Sequence, residues 1–226
     1  MDFNFQPLIL SLELSLITTV LLLIIGIPIA SFLAFKTFRG KSILEAIVSL
    51  PLVLPPSVLG FYLLVAFSPN NFFGKFLDSY FNLRLVFSFS GLVLGSLIYS
   101  LPFMIHPLQA GLQALAPNLK EASYSLGKSK KETMFKVLLP NIKPAILTGM
   151  VLTFAHTLGE FGVVLMIGGN LEGSTKVASI AIYDAVESLD FRSAHIYSLV
   201  LIIISFVILL ITYGLNKRLF DNRVHL

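Results

Sequence analysis

Residues 117–140 read PNLKEASYSLGKSKKETMFKVLLP, a polar and basic stretch between two strongly apolar ones. Local chemistry nonetheless predicts ordered structure here. Leu119, Ala122 and Leu126 are apolar at i, i+3 and i+7, the pattern of a short amphipathic helix over 118–126. Gly127 stands where a left-handed C-terminal cap belongs. Ser129 and Glu132 have the S-x-x-E spacing of a capping box that opens a second helix. Met134, Phe135 and Leu138 give that helix an apolar face, and Pro140 is expected to end it. Two short helices held at a fixed angle could sit in a groove of a soluble partner and transmit its motion. Local rules alone also allow an ordinary solvated loop with a basic face.

The sequence outside this stretch is that of a membrane protein. Of its 226 residues, 56% are hydrophobic and 12% are charged, whereas soluble domains carry about 25% charge. Mean hydropathy is +0.88. The absence of Cys excludes disulfides, thiolate metal sites and cysteine nucleophiles. With no Trp, the 20 Phe and 7 Tyr must supply any interfacial aromatic belt. A span needs about 20 apolar residues, and five stretches qualify: 15–35, 46–67, 85–105, 142–167 and 195–215. The expected fold class is an all-α membrane protein of about five transmembrane helices, a single membrane domain over 10–215 with 117–140 as a loop inside it. Membrane lipid is its surroundings. Residues 1–12 contain no Lys or Arg, so the charged start of a cleavable signal is missing and the first apolar stretch is expected to stay in the membrane.

The net charge of +4 reads as topology rather than as a nucleic-acid surface. Twelve Lys and Arg fall after the first, third and fifth stretches, including Lys217, Arg218 and Arg223, and four (Lys75, Arg84, Lys176, Arg192) fall on the other side. Basic residues accumulate on the cytoplasmic side, which places the N-terminus outside and the C-terminus inside. Segment 175–192 is too acidic to span, with Asp184, Glu187 and Asp190. It reads as a short amphipathic helix on the outer side, or one dipping into the protein.

Two of the spans are irregular. The second contains Pro51, Pro55, Pro56, Ser57 and Gly60, and each proline removes a backbone donor and crowds a preceding carbonyl. Broken backbone at membrane depth is tolerated where it packs on protein or lines a wet cavity, so 51–60 is either a static kink or part of a translocation path. The fourth ends in Gly159-Glu160-Phe161-Gly162. A carboxylate inside a span is expensive, and glycines on both sides permit close approach or a helix break. Glu160 is therefore either a gate residue or a clip that holds freed backbone.

With these residues in view, 117–140 resembles the coupling loop of bacterial and archaeal ABC importer permeases. That pattern is Glu-Ala-Ala, three residues, Gly, nine residues, an aliphatic, any residue, Leu-Pro. Here it is Glu121-Ala122-Ser123, Gly127 and Val137-Leu138-Leu139-Pro140, with Ser123 replacing the second alanine. The resemblance implies the type I importer fold and a loop that docks, through Glu121, Ala122, Ser123, Gly127, Val137, Leu139 and Pro140, into an ABC ATPase subunit. It further implies two ATPase copies, a second copy of this chain, an external oxyanion-binding protein, and residence in the cytoplasmic membrane of a bacterium or archaeon. Gly40-Lys41-Ser42 and Gly127-Lys128-Ser129 look like P-loop ends, but the required earlier glycines are replaced by Phe35 and Ala122. ATP and Mg would thus be used by the partner, with no metal, cofactor or catalytic residue on this chain.

Within this class the chain looks most like molybdate permeases, in 50–62, in 158–162 and in the segment from Gly168-Gly169-Asn170 to Tyr183. Sulfate-type relatives tend to carry Tyr-Gly-Ser after the glutamate, where this chain has Phe161-Gly162-Val163. Tungstate-type permeases share the Gly-Gly-Asn region. The expected function is molybdate import by alternating access, with tungstate or sulfate transport, or an ATP-independent carrier, as alternatives. An embedded enzyme would bring convergent ionisable residues to one membrane face, and the acidic and His residues here are scattered.

Overall fold

The computed structural model of the chain describes residues 3–224. Three uninterrupted helices are long and apolar enough to cross a membrane: α1 (Gln6–Phe35), α5 (Phe89–Gln113) and α12 (Phe191–Val224), the last over its portion Phe191–Thr212. α1 starts well before residue 15 because Pro7 in its first turn costs no hydrogen bond. The packed domain therefore begins ahead of residue 10: Leu8 is buried, and Tyr197 Oη donates to the Asn4 carbonyl at 2.7 Å. Of the basic residues Lys217, Arg218 and Arg223, the structure describes the helical backbone of α12, and their side chains lie outside the described residues.

The other two expected spans are broken. The second is α2 (Lys41–Val53) and α3 (Pro56–Phe67), which meet at 111°. Leu54 and Pro55 are both extended, with ψ of 136° and 135°, because each precedes a proline, whose ring disfavours helical backbone. Pro51 does not break the chain; it is buried within α2. The fourth is α9 (Lys143–Leu158) followed by a short helix, α10 (Gly162–Gly168). At about 1.5 Å per residue, neither half of either pair could cross alone.

α1, α5 and α9 form the centre. Gly26 lets α1 approach α5, since a Cβ there would lie 3.0 Å from Met104 Cγ. Leu22, Ala30, Leu33, Ile105, Leu108 and Leu112 fill this contact. Two hydroxyls on the buried face of α1 are satisfied locally: Ser15 and Thr19 donate to the carbonyls four residues earlier, both at 2.7 Å. A second core of Leu14, Leu63, Leu92, Val163, Val164 and Ile167 joins α3 and α10 to this centre. By contrast the portion Phe191–Thr212 of α12 buries only 11% of its most apolar window in the chain, which suits a helix facing lipid or another subunit.

Segment 175–192 contains α11 (Ala178–Glu187), which packs on α12 and the start of α1. It is seated by Ala178 N–H donating to buried Ser11 Oγ at 2.8 Å. Residues 68–84 hold α4 (Phe72–Phe81), whose Phe72, Phe73, Tyr80 and Phe81 are exposed.

Candidate functional site

Two constellations stand out. The first is 117–141. α6 (Pro117–Ser125) ends at Leu126, and Gly127 follows at φ +74°. The Gly127 N–H donates to the Tyr124 carbonyl at 2.9 Å and the Lys128 N–H to the Ser123 carbonyl at 3.2 Å, the paired bonds of a Schellman cap. Two residues later the capping box closes: Glu132 N–H donates to Ser129 Oγ at 3.2 Å and Ser129 N–H to Glu132 Oε2 at 3.3 Å. Lys136 Nζ lies 3.1 Å from Glu132 Oε1. Its hydrogen bond, followed by that from the Ser129 backbone, holds the Glu132 carboxyl below its ordinary range.

The second helix runs as α7 (Lys130–Thr133), a π-helical turn (Met134–Leu138) and α8 (Leu139–Asn141), and meets α9 at 78°. Pro140 does not end it. The helix widens just ahead of Pro140, which has no N–H to give to the preceding turn. It stops one residue later, at Asn141.

The apolar face expected on α6 is rotated. Leu119 packs on the core, but Ala122 and Leu126 face out, Leu126 at 80% exposure. The residue turned inward is Ser123, whose Oγ lies 2.8 Å from Thr133 Oγ1 with both residues buried. This bond joins the two helices, so serine at the second alanine position acts as a tie. On the second helix Leu138 is buried and Met134, Val137 and Leu139 are half-buried, while Phe135 is 65% exposed. Glu121, Gly127 and Pro140 are exposed. Losing either hydroxyl strands the other in a buried site at about 1–2 kcal/mol. Ser123→Ala is therefore expected to speed amide exchange over 118–133 by about 5–30-fold, and Ser123→Ala with Thr133→Val by much less than the two single effects combined. Equal exchange in Ser123→Ala and the parent would remove the tie.

The second constellation joins the two broken spans at their breaks. A Cβ on Gly162 would lie 2.6 Å from Pro56 Cβ, and one on Gly60 would lie 2.7 Å from Met166 Cβ. Glycine at these two positions is thus a packing requirement. Gly159 is different: it is exposed, its φ is −91°, and a Cβ would meet only the Ala155 carbonyl at 3.7 Å. Pro51 also stands apart from this contact, inside α2, while Pro55 and Ser57 are exposed at the turn. Gly162→Val is expected to lower thermal stability by about 1–3 kcal/mol through overpacking, read as a fall in the unfolding midpoint of the purified protein. An unchanged midpoint would contradict this packing.

Glu160 occupies the break between α9 and α10 and is buried. Ser96 Oγ donates to Glu160 Oε2 at 3.1 Å, and Ser179 Oγ donates to the Glu160 carbonyl at 2.5 Å. The break is thereby tied to α5 and α11. Glu160 Oε1 has no partner among the described residues. One turn along α5, Ser100 Oγ lies 2.9 Å from Thr157 Oγ1 and 3.0 Å from His156 Nδ1, and the His156 ring packs on Phe103 and Tyr99. Sequence reading missed Ser96, Ser100, His156 and Thr157. The signal was present, since Ser96 and Ser100 are small polar residues at i and i+4 in an apolar helix.

Comparison with known proteins agrees with this architecture. Residues 26–225 match the family model described as binding-protein-dependent transport system inner membrane component. The molybdenum transport system permease protein of Azotobacter vinelandii is 44% identical, over 92% of each chain. A probable sulfate transport system permease protein of Helicosporidium is 36% identical, over 89% of this chain and 74% of its own. Among solved structures, a chain of the MetNI methionine ABC transporter superposes with a TM-score of 0.72 at 15% identity, covering 96% of this chain and 95% of that one. The likeness in fold, the helix pair at 117–141 and the match over nearly the whole sequence converge: the chain belongs to the family of inner-membrane components of binding-protein-dependent transport systems.

Proposed function

We propose that this chain is the permease subunit of an ATP-driven importer and that its cargo is molybdate. The observation that carries the cargo assignment is the 44% identity, over 92% of each chain, with a molybdenum permease. Sulfate is the second reading, favoured by a 36% identical relative, and tungstate shares the same oxyanion chemistry. The chain is a transport component, and hydrolysis of ATP with Mg belongs to a separate ATPase subunit.

The helix pair at 117–141 is the lever. Its Schellman cap, capping box and Ser123–Thr133 bond fix the angle between its arms. The exposed Leu126, Glu121, Ala122 and Gly127 form its docking side, and Leu138 and Leu139 root it on the core. Motion of the ATPase therefore passes to α9 and, beyond it, to the break at Glu160. There two interrupted spans meet in Gly162–Pro56 contact, which lets one half of each move against the other. Glu160 is a positioning residue in this scheme, holding the break on α5 through Ser96. Selection of the anion falls to an external binding protein, and the path runs between two copies of this chain, each with an ATPase beneath it. The N-terminus lies outside and the C-terminus in the cytoplasm.

Co-expression with an ATP-binding subunit encoded beside this chain tests the assignment. The expected result is a stable complex with equal amounts of the two chains. Recovery of the permease with no ATPase bound would overturn it.

A further inference from the structure

One groove is not absorbed by this function. A cavity of about 760 Å³ lies between α1 and the second arm of the helix pair. Its floor is apolar, with Ile24, Phe32 and Phe135 all exposed along it. Its rim carries Lys36, Lys120, Lys130 and Lys131, and no acidic residue lines it. None of these four lysines forms an ion pair among the described residues, whereas Lys41, Lys136 and Lys176 each do. Lys120 is held over the Phe35 ring at 4.5 Å, which keeps its charge at the groove. Lys130 and Lys131 stand in the first turn of a helix, where the macrodipole disfavours positive charge. Helix stability therefore does not account for them.

We infer that this groove binds the headgroup of an anionic phospholipid of the cytoplasmic leaflet. The apolar strip along Ile24 and Phe32 continues from the membrane-spanning part of α1 up to the lysines. An acyl chain can thus lie on the strip while the phosphate meets the rim. Basic pockets beside transmembrane helices on this side bind acidic headgroups in this way. The occupant ties the cytoplasmic end of α1 to the second arm of the lever. The inference rests on the orientation proposed above for the choice of leaflet, and on nothing about cargo.

Native mass spectrometry of the full permease–ATPase complex tests it, with dioleoylphosphatidylglycerol or dioleoylphosphatidylcholine added and no transported anion present. The expected result is retention of one phosphatidylglycerol per permease chain and weak retention of phosphatidylcholine. A lysine near an anionic headgroup is worth roughly fivefold in binding, so Lys36→Gln with Lys130→Gln should weaken phosphatidylglycerol retention by about 30-fold. The Lys36→Arg, Lys130→Arg variant should retain it, and so should Lys75→Gln on the opposite side. Equal retention of both lipids, no retained lipid in the parent, or undiminished binding in the Gln variant would overturn the inference. Loss of the ATPase from the Gln variant with lipid retention unchanged would also overturn it, by assigning the groove to the protein partner. Molybdate-dependent ATPase activity is a separate readout, so failure here leaves the cargo assignment standing.

Discussion

Replacing Gly127 with valine is expected to cut the yield of assembled permease–ATPase complex at least tenfold, and transport with it. Gly127 sits at φ +74°, and a Cβ there would meet nothing within 4 Å. Crowding inside the chain is therefore not the cause. The cause is backbone: a β-branched residue in the left-handed region is strained by about 1–3 kcal/mol and would abandon the Schellman bonds to Tyr124 and Ser123. Without them α6 loses its set angle to the second arm, and the exposed Glu121 and Leu126 no longer meet the partner in register with it. Gly127→Asn separates conformation from contact, because asparagine tolerates this region; it should retain most of the assembly. Pull-down of the ATPase on tagged permease, at matched membrane levels, checks both variants. Parental yield with valine would contradict the role given to the cap.

Glu160→Ala should reduce uptake by tenfold or more at normal protein level. It deletes the acceptor for Ser96 and leaves unfilled space where two broken spans meet. Leaving the buried Ser96 hydroxyl without its acceptor costs about 1–3 kcal/mol, enough to free the break from α5. Glu160→Gln keeps a carbonyl oxygen for Ser96, so it should assemble and retain a larger part of the uptake. Normal uptake with alanine would remove Glu160 from the mechanism. A Gln variant as inactive as the Ala variant would show that the carboxyl itself is needed, and would contradict a purely positioning role.

What could be read in advance follows the range of the forces involved. Gly127, Ser129 and Glu132 were legible because caps are built from residues within one turn of each other. Pro55-Pro56 gave the break in the second span for the same reason. Which face of α6 turns inward was not legible, since Thr133, from the other arm, draws Ser123 in and leaves Leu126 outside. Pro140 misled because a proline is a helix stop only where the helix cannot widen, and here a π-helical turn absorbs it. The Gly162–Pro56 and Gly60–Met166 contacts are tertiary, so glycine in a span announced only that something comes close. α4 was missed, because 68–84 reads by hydropathy as a long loop, although Phe72, Phe76 and Tyr80 stand at helical spacing within it. Cargo lies beyond all of these, because no residue at the two breaks identifies an anion, and it rests on likeness to relatives.

Proteoliposomes holding the complete transporter test the central claim most directly, with ATP inside and binding protein loaded in turn with molybdate, tungstate or sulfate outside. Molybdate-loaded protein is predicted to stimulate ATP hydrolysis and to deliver molybdate to the lumen. Stimulation by sulfate-loaded protein alone would contradict the account.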